Sequence, residues 1–234
     1  MYEIGNTSFT LRVPALNKIE LEDYSNRLFN EWDSAVSKTL LLEDYSLSLE
    51  IEEGSIKGRG KIAVAIGVLY IGIGNYGDFV SGLNTIRDQV TNVGNTLFET
   101  ALLSSGCDKK NSTVRKSAGV VTKLSALFTK VQKNQLTSDQ AMEEARALFG
   151  DALNEHPDFI KELQKQFQET PLDPEQLELS GLDSESCEIL TNDIMEEEKP
   201  PVKRPSPAPL PQRYRVQIWR DSRNDQKQIK ITKK

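Results

Sequence analysis

The sequence predicts an α+β fold weighted towards helix, and three patterns carry that prediction. Tyr45, Leu47, Leu49 and Ile51 alternate with Ser46, Ser48, Glu50 and Glu52, the two-residue period of a half-buried strand. Beyond Gly82 the apolar residues recur instead every three or four positions, as on amphipathic helices. Near the C-terminus the alternation returns, with Tyr214, Val216 and Ile218 interleaved with Arg213, Arg215, Gln217 and Trp219.

The N-terminal segment, 1–61, reads as a β-α-β-β unit. Phe9, Leu11 and Val13 alternate with Thr10 and Arg12 before Pro14, a short strand with a hard stop. Leu21, Tyr24, Leu28, Trp32, Ala35 and Val36 then share a helical face, with Glu20, Glu22 and Asp23 near the positive end of the helix dipole. After the Tyr45–Glu52 strand, Glu53-Gly54 turns the chain into a second one. There Lys57, Arg59 and Lys61 face away from Ile56, Gly58, Gly60 and Ile62, so the hairpin carries acidic and basic residues on its solvated face.

Ile62 to Gly77, IAVAIGVLYIGIGNYG, is the longest uncharged apolar run and opens the second segment, 62–168. It is read as a helix, either buried in a core shared with residues 1–61 or extended to Leu83 as a membrane span. A span of 62–83 is short for a hydrocarbon core that needs roughly 20 apolar residues, and it would have to carry Asp78. Lys57, Arg59 and Lys61 just before it suit a cytoplasmic flank. In either setting Gly60, Gly67, Gly74 and Ser81 form a small-residue seam against which a second helix packs. The alternation of Ile62, Val64, Ile66, Val68 and Tyr70 gives a competing strand reading. It ends in Gly72-Ile-Gly74-Asn-Tyr-Gly77, formally the glycine fingerprint of a nucleotide-binding turn. No second strand with an acidic end follows, so the fingerprint stands without its βαβ unit. Gly54 to Lys61 fails as a phosphate loop, because five residues separate Gly54 from Gly60-Lys61 and Ile62 stands where Ser or Thr belongs.

The rest of this segment is helical. Leu83, Ile86, Val90, Val93 and Leu97 continue a stripe to Leu103, and Gly106-Cys107-Asp108 breaks it. Asn111 or Ser112 is placed to cap a helix carrying Val114, Ala118, Val121, Leu124, Phe128 and Val131. Thr137 and Gln140 form a capping box, Gly150 ends that helix, and His156-Pro157 opens a last one with Phe159, Ile160, Leu163 and Phe167.

Charge then segregates. Residues 169–198 form an acidic linker with eleven carboxylates and no basic residue, and 199–212 a proline-rich spacer. Residues 213–234 form a basic two-stranded hairpin, marginal in isolation and so expected to dock on something. Arg213, Arg215, Trp219 and Arg220 are the candidate partner-binding residues. The hairpin could join a sheet edge, fold back on the acidic segment or bind phosphates. The carboxylates beside it favour protein or self-binding over nucleic acid.

No catalytic, cofactor-binding or metal-binding residue is indicated. The one histidine, His156, precedes a proline at a helix start and reads as structural, so no Ser-His-Asp or Cys-His constellation can be built. Cys107 and Cys187 lie far apart without metal spacing, and the first residues lack the basic and apolar regions of a signal peptide. These features point to the cytoplasm, with membrane association the alternative. The expected function is non-catalytic protein binding, with a membrane-active protein and a nucleotide-binding protein as alternatives and no cofactor expected.

Overall fold

The computed structural model describes residues 1–75, 78–171 and 213–233. The acidic linker and the proline-rich spacer lie outside these. The fold is α+β and mainly helical. One antiparallel sheet of six strands has the order β4-β1-β3-β2-β5-β6, and it comprises β1 (Tyr2–Leu11), β2 (Ser46–Glu52), β3 (Ile56–Val64), β4 (Ser112–Ser117), β5 (Tyr214–Arg220) and β6 (Gln228–Lys233). The helices are α1 (Lys18–Thr39), α2 (Ile66–Gly74), α3 (Phe79–Ser105), α4 (Gly119–Gln132), α5 (Ser138–Phe149) and α6 (Pro157–Glu169).

The alternation in the sequence separates the two faces of the sheet. Leu47, Leu49 and Ile51 of β2, Ile56, Ile62 and Val64 of β3, and Val216 and Ile218 of β5 are buried on one face. α1 lays Leu21, Tyr24, Leu28, Phe29, Trp32 and Val36 into the core, and α3 buries Leu83, Ile86, Val90, Val93 and Leu97. α4 to α6 and α2 close one end around aromatic rings. Phe79 lies 5.7 Å from Phe128 and 6.0 Å from Phe159 between centroids, and Phe128 lies 4.4 Å from Phe167. Local signals set the helix ends. Asn17 and Glu20 form a capping box on α1, Thr137 and Gln140 form the expected one on α5, and Gly150 ends α5.

The structure divides the apolar run between two elements. Ile62 and Val64 belong to β3, where Tyr2 pairs with Val64 and Ser46 with Ala63. Alternating β-branched residues held between two partner strands fit the pleated surface better than a helix. α2 follows and is nine residues long, about 14 Å, roughly half a hydrocarbon core. Among the described residues no helix is long and apolar enough to cross a membrane, which overturns the span over 62–83.

The nucleotide fingerprint falls with it. Gly72 and Gly74 sit in α2 and Gly77 lies outside the described residues, so no strand-to-helix turn forms at Gly72-Gly74. The helix expected from Asn111 is also corrected. Ser112–Ser117 is an edge strand on β1, with Phe9 opposite Val114, and the helix begins only at Gly119. Gly119 has φ +51°, and a Cβ there would come 2.0 Å from the Glu3 carbonyl oxygen, so glycine is what lets strand turn into helix at this point.

Candidate functional site: the open face of the sheet

Among the described residues no helix covers the second face of the sheet, and strand register lays its side chains out in rows. One row takes a residue from each strand: Arg115, Ser8, Arg59, Glu50, Gln217 and Lys230. A second row runs Thr113, Thr10, Lys57, Glu52, Arg215 and Thr232, and a third Ser117, Asn6, Lys61, Ser48, Trp219 and Gln228. At about 4.8 Å between strands each row spans about 24 Å.

Charge on this face is positive although the whole chain carries a formal −6. Its carboxylates are engaged. Glu50 meets Arg215 Nε at 3.3 Å and accepts from Gln217 Nε2 at 3.2 Å, Glu52 pairs with the Arg215 guanidinium, and Glu3 lies 3.8 Å from Lys61 Nζ. Lys57, Arg59, Arg115 and Lys230 have no ion pair among the described residues. Two grooves share Glu50 and Arg59 as a common wall. One, of about 330 Å³, lies between Trp219, Lys61, Arg59 and Lys230 over Ser48 and Gln217. The other, of about 570 Å³, lies between Lys57, Arg59 and Arg115 over Ser8, Thr10 and Thr113. An aromatic wall and cations that need not break an existing pair can hold an extended anionic chain.

The candidate residues of the C-terminal hairpin take different roles. Trp219 is half-buried on the open face, and Arg215 is held by Glu50 and Glu52. Arg220 turns to the helix side, 6% exposed, where its guanidinium binds Asp33 of α1 and stands 5.1 Å over the Tyr45 ring. Arg213 is exposed, its Nε 3.6 Å from where a Cβ on Gly54 would stand. The register fixes β5 along β2, and the turn after β5 is tied down by Asp44. That carboxylate accepts from the Arg223 backbone N–H at 2.7 Å and from the Ser222 hydroxyl at 2.8 Å. The Arg223 N–H, with the Ser222 and Tyr45 donors behind it, holds the Asp44 carboxyl below the usual carboxylate range.

The small-residue seam is not brought together. Gly60 is in β3, where a Cβ would meet Leu97 at 2.4 Å and Trp32 at 3.1 Å; Gly67 is in α2 beneath the His156 ring; Gly74 has nothing within 4 Å; Ser81 is exposed on α3. The close helix approach lies one residue further on. A Cβ on Gly82 of α3 would stand 2.3 Å from the Ile73 carbonyl oxygen of α2.

Lys57, Arg59, Lys61, Arg115 and Lys230 are the site residues that the sequence reading passed over. The alternation of Lys57, Arg59 and Lys61 was itself the signal that they share a solvated face. Arg115 was hidden by the helix expected around it. His156 precedes α6 without a side-chain capping bond. Burial, with Cys107 nearby as a lesser cause, raises the Tyr24 phenol above its ordinary range, and its hydroxyl donates to the Ala101 carbonyl at 3.2 Å. Among the described residues no group of three or more His, Cys, Asp or Glu side chains is placed to hold a metal ion. Comparison with family models, with curated proteins and with solved structures finds no match to this chain.

Proposed function

We propose that this chain is a non-catalytic binding protein that takes an acidic segment of a partner protein on the open face of its sheet. The observation that carries this reading is the set of four cations there, Lys57, Arg59, Arg115 and Lys230, that no carboxylate pairs with among the described residues, next to the half-buried Trp219. Free cations on a net-acidic protein attract an anionic partner by charge complementarity, while Trp219 adds apolar contact at the rim. Trp219 as the one aromatic side chain on this face among the described residues favours a polypeptide over a nucleic acid strand, whose successive bases call for successive stacking platforms. The chain's cysteine usage, with Cys107 free, suits a reducing compartment, and we assign it to the cytoplasm.

The test uses Trp219 itself. The other tryptophan, Trp32, is 1% exposed, so emission changes on binding report the open face. Titration with poly-L-glutamate gives a saturable change that Trp219→Phe abolishes, and Arg59→Gln with Lys61→Gln weakens binding by about tenfold at low salt. Unchanged emission, or tighter binding of oligothymidylate than of poly-L-glutamate, contradicts the reading.

A further inference from the structure

The sheet ends at β6 with an open edge. The Glu53 N–H donates to the Tyr214 carbonyl at 3.0 Å, so Tyr214 turns its backbone groups towards β2. Successive residues alternate, so Arg215, Gln217 and Trp219 point towards β6 and meet Thr232, Lys230 and Gln228. The backbone groups of Ile229, Ile231 and Lys233 therefore aim out of the sheet, and among the described residues no strand lies beyond them. Edges are commonly blunted by proline or a bulge; β6 contains no proline and pairs with β5 without a register shift.

The side chains say what would fit there. Ile229, 41% exposed, and Ile231 stand opposite the buried Ile218 and Val216 on the helix side. Lys230, between them, faces the other way and lines the Trp219 groove. The opposite edge, β4, offers one apolar side chain on its helix side, Val114, followed by Arg115 and Lys116.

We propose that β6 accepts an extended segment of the acidic partner as a further strand, the segment alternating carboxylate and apolar residues. Strand addition supplies main-chain hydrogen bonds, and the two-residue period supplies selectivity. Apolar residues of the added strand cover Ile229 and Ile231, and its carboxylates fall on the open face beside Lys230. A second copy of β6 in that position would bring like charges together at Lys230, which is unfavourable. The proposal rests on the reading of the open face given above and adds to it a binding mode and a sequence pattern.

Fluorescence anisotropy with the full chain separates the two claims. The probes are a short labelled peptide alternating Glu with Ile or Val, a shuffled peptide of the same composition without alternation, and labelled oligothymidylate. The alternating peptide binds the wild type about tenfold more tightly than the shuffled one, and Ile229→Pro, which removes one outward N–H, erases that difference. Lys230→Glu, an exposed substitution, also weakens the alternating peptide by about tenfold, and it carries the test if melting shows the proline variant unfolded. Equal binding of the two peptides overturns strand addition. If poly-L-glutamate still changes Trp219 emission in that case, the open-face reading survives; if it does not, both fail. Tighter binding of oligothymidylate, or self-association that Ile229→Pro abolishes, overturns the proposal in favour of a nucleic acid or a second copy.

Discussion

Gly82 and Gly74 show how one residue's neighbours decide its role. A side chain at Gly82 would run into the Ile73 carbonyl, backbone that cannot swing aside, whereas Gly74 faces open space at the end of α2. Gly82→Leu is expected to cost at least 1 to 3 kcal/mol, and Gly74→Leu to stay within about 0.5 kcal/mol, in chemical denaturation. Equal effects would mean that α2 and α3 do not approach as described. The heptad spacing of Gly60, Gly67, Gly74 and Ser81 was legible, but spacing describes a face only where one helix continues through it. Here the chain passes from strand to α2 to α3, so the sequence could point to small residues in this stretch without selecting the one that touches backbone.

The C-terminal hairpin makes the same point for elements. Its two strands and its turn were readable from local alternation and from Asp221 to Asp225. Which edge it would join was not, because the choice depends on Glu50, Glu52, Asp33 and Asp44, more than 160 residues earlier in the chain. Arg220 is the buried anchor: its loss leaves Asp33 without its cation and only Arg223 over the Tyr45 ring. Arg220→Gln should cost about 2 kcal/mol, seen as faster amide exchange in β5 and β6 with the α4–α6 helices unaffected. Asp44 adds a pH dependence. Its carboxyl is held below the ordinary range in the folded state, so its contribution is present above the unfolded pKa and is lost as pH falls through the folded one. Protection of the Arg223 amide, after correction for the intrinsic pH dependence of exchange, should therefore fall as Asp44 is protonated in acid, and Asp44→Asn should remove that dependence. A wild-type turn whose corrected protection is the same at neutral and acid pH would contradict the assignment.

At the scale of the molecule, the fold is a layer of helices on one face of a sheet whose other face no helix covers among the described residues. Strict alternation in β2, β3 and β5 made that division legible, since each strand has one apolar and one polar side. The breadth of the face was not legible. It needs β4, which local periodicity rendered as helix, and the hairpin, which reaches β2 only through pairing across residues 172–212. Six strands bring Arg115 at one edge and Lys230 at the other into one row with Arg59, a juxtaposition no local stretch of sequence contains. The measurement that tests its role most directly is backbone amide chemical-shift mapping of the full chain titrated with poly-L-glutamate at low salt. Perturbations confined to the sheet, around Ser8, Ser48, Arg59, Lys61, Arg115, Trp219 and Lys230, are expected, fading as salt is raised. Perturbations centred on α4 to α6, or none at any salt, would contradict the claim that the open face is where this protein binds.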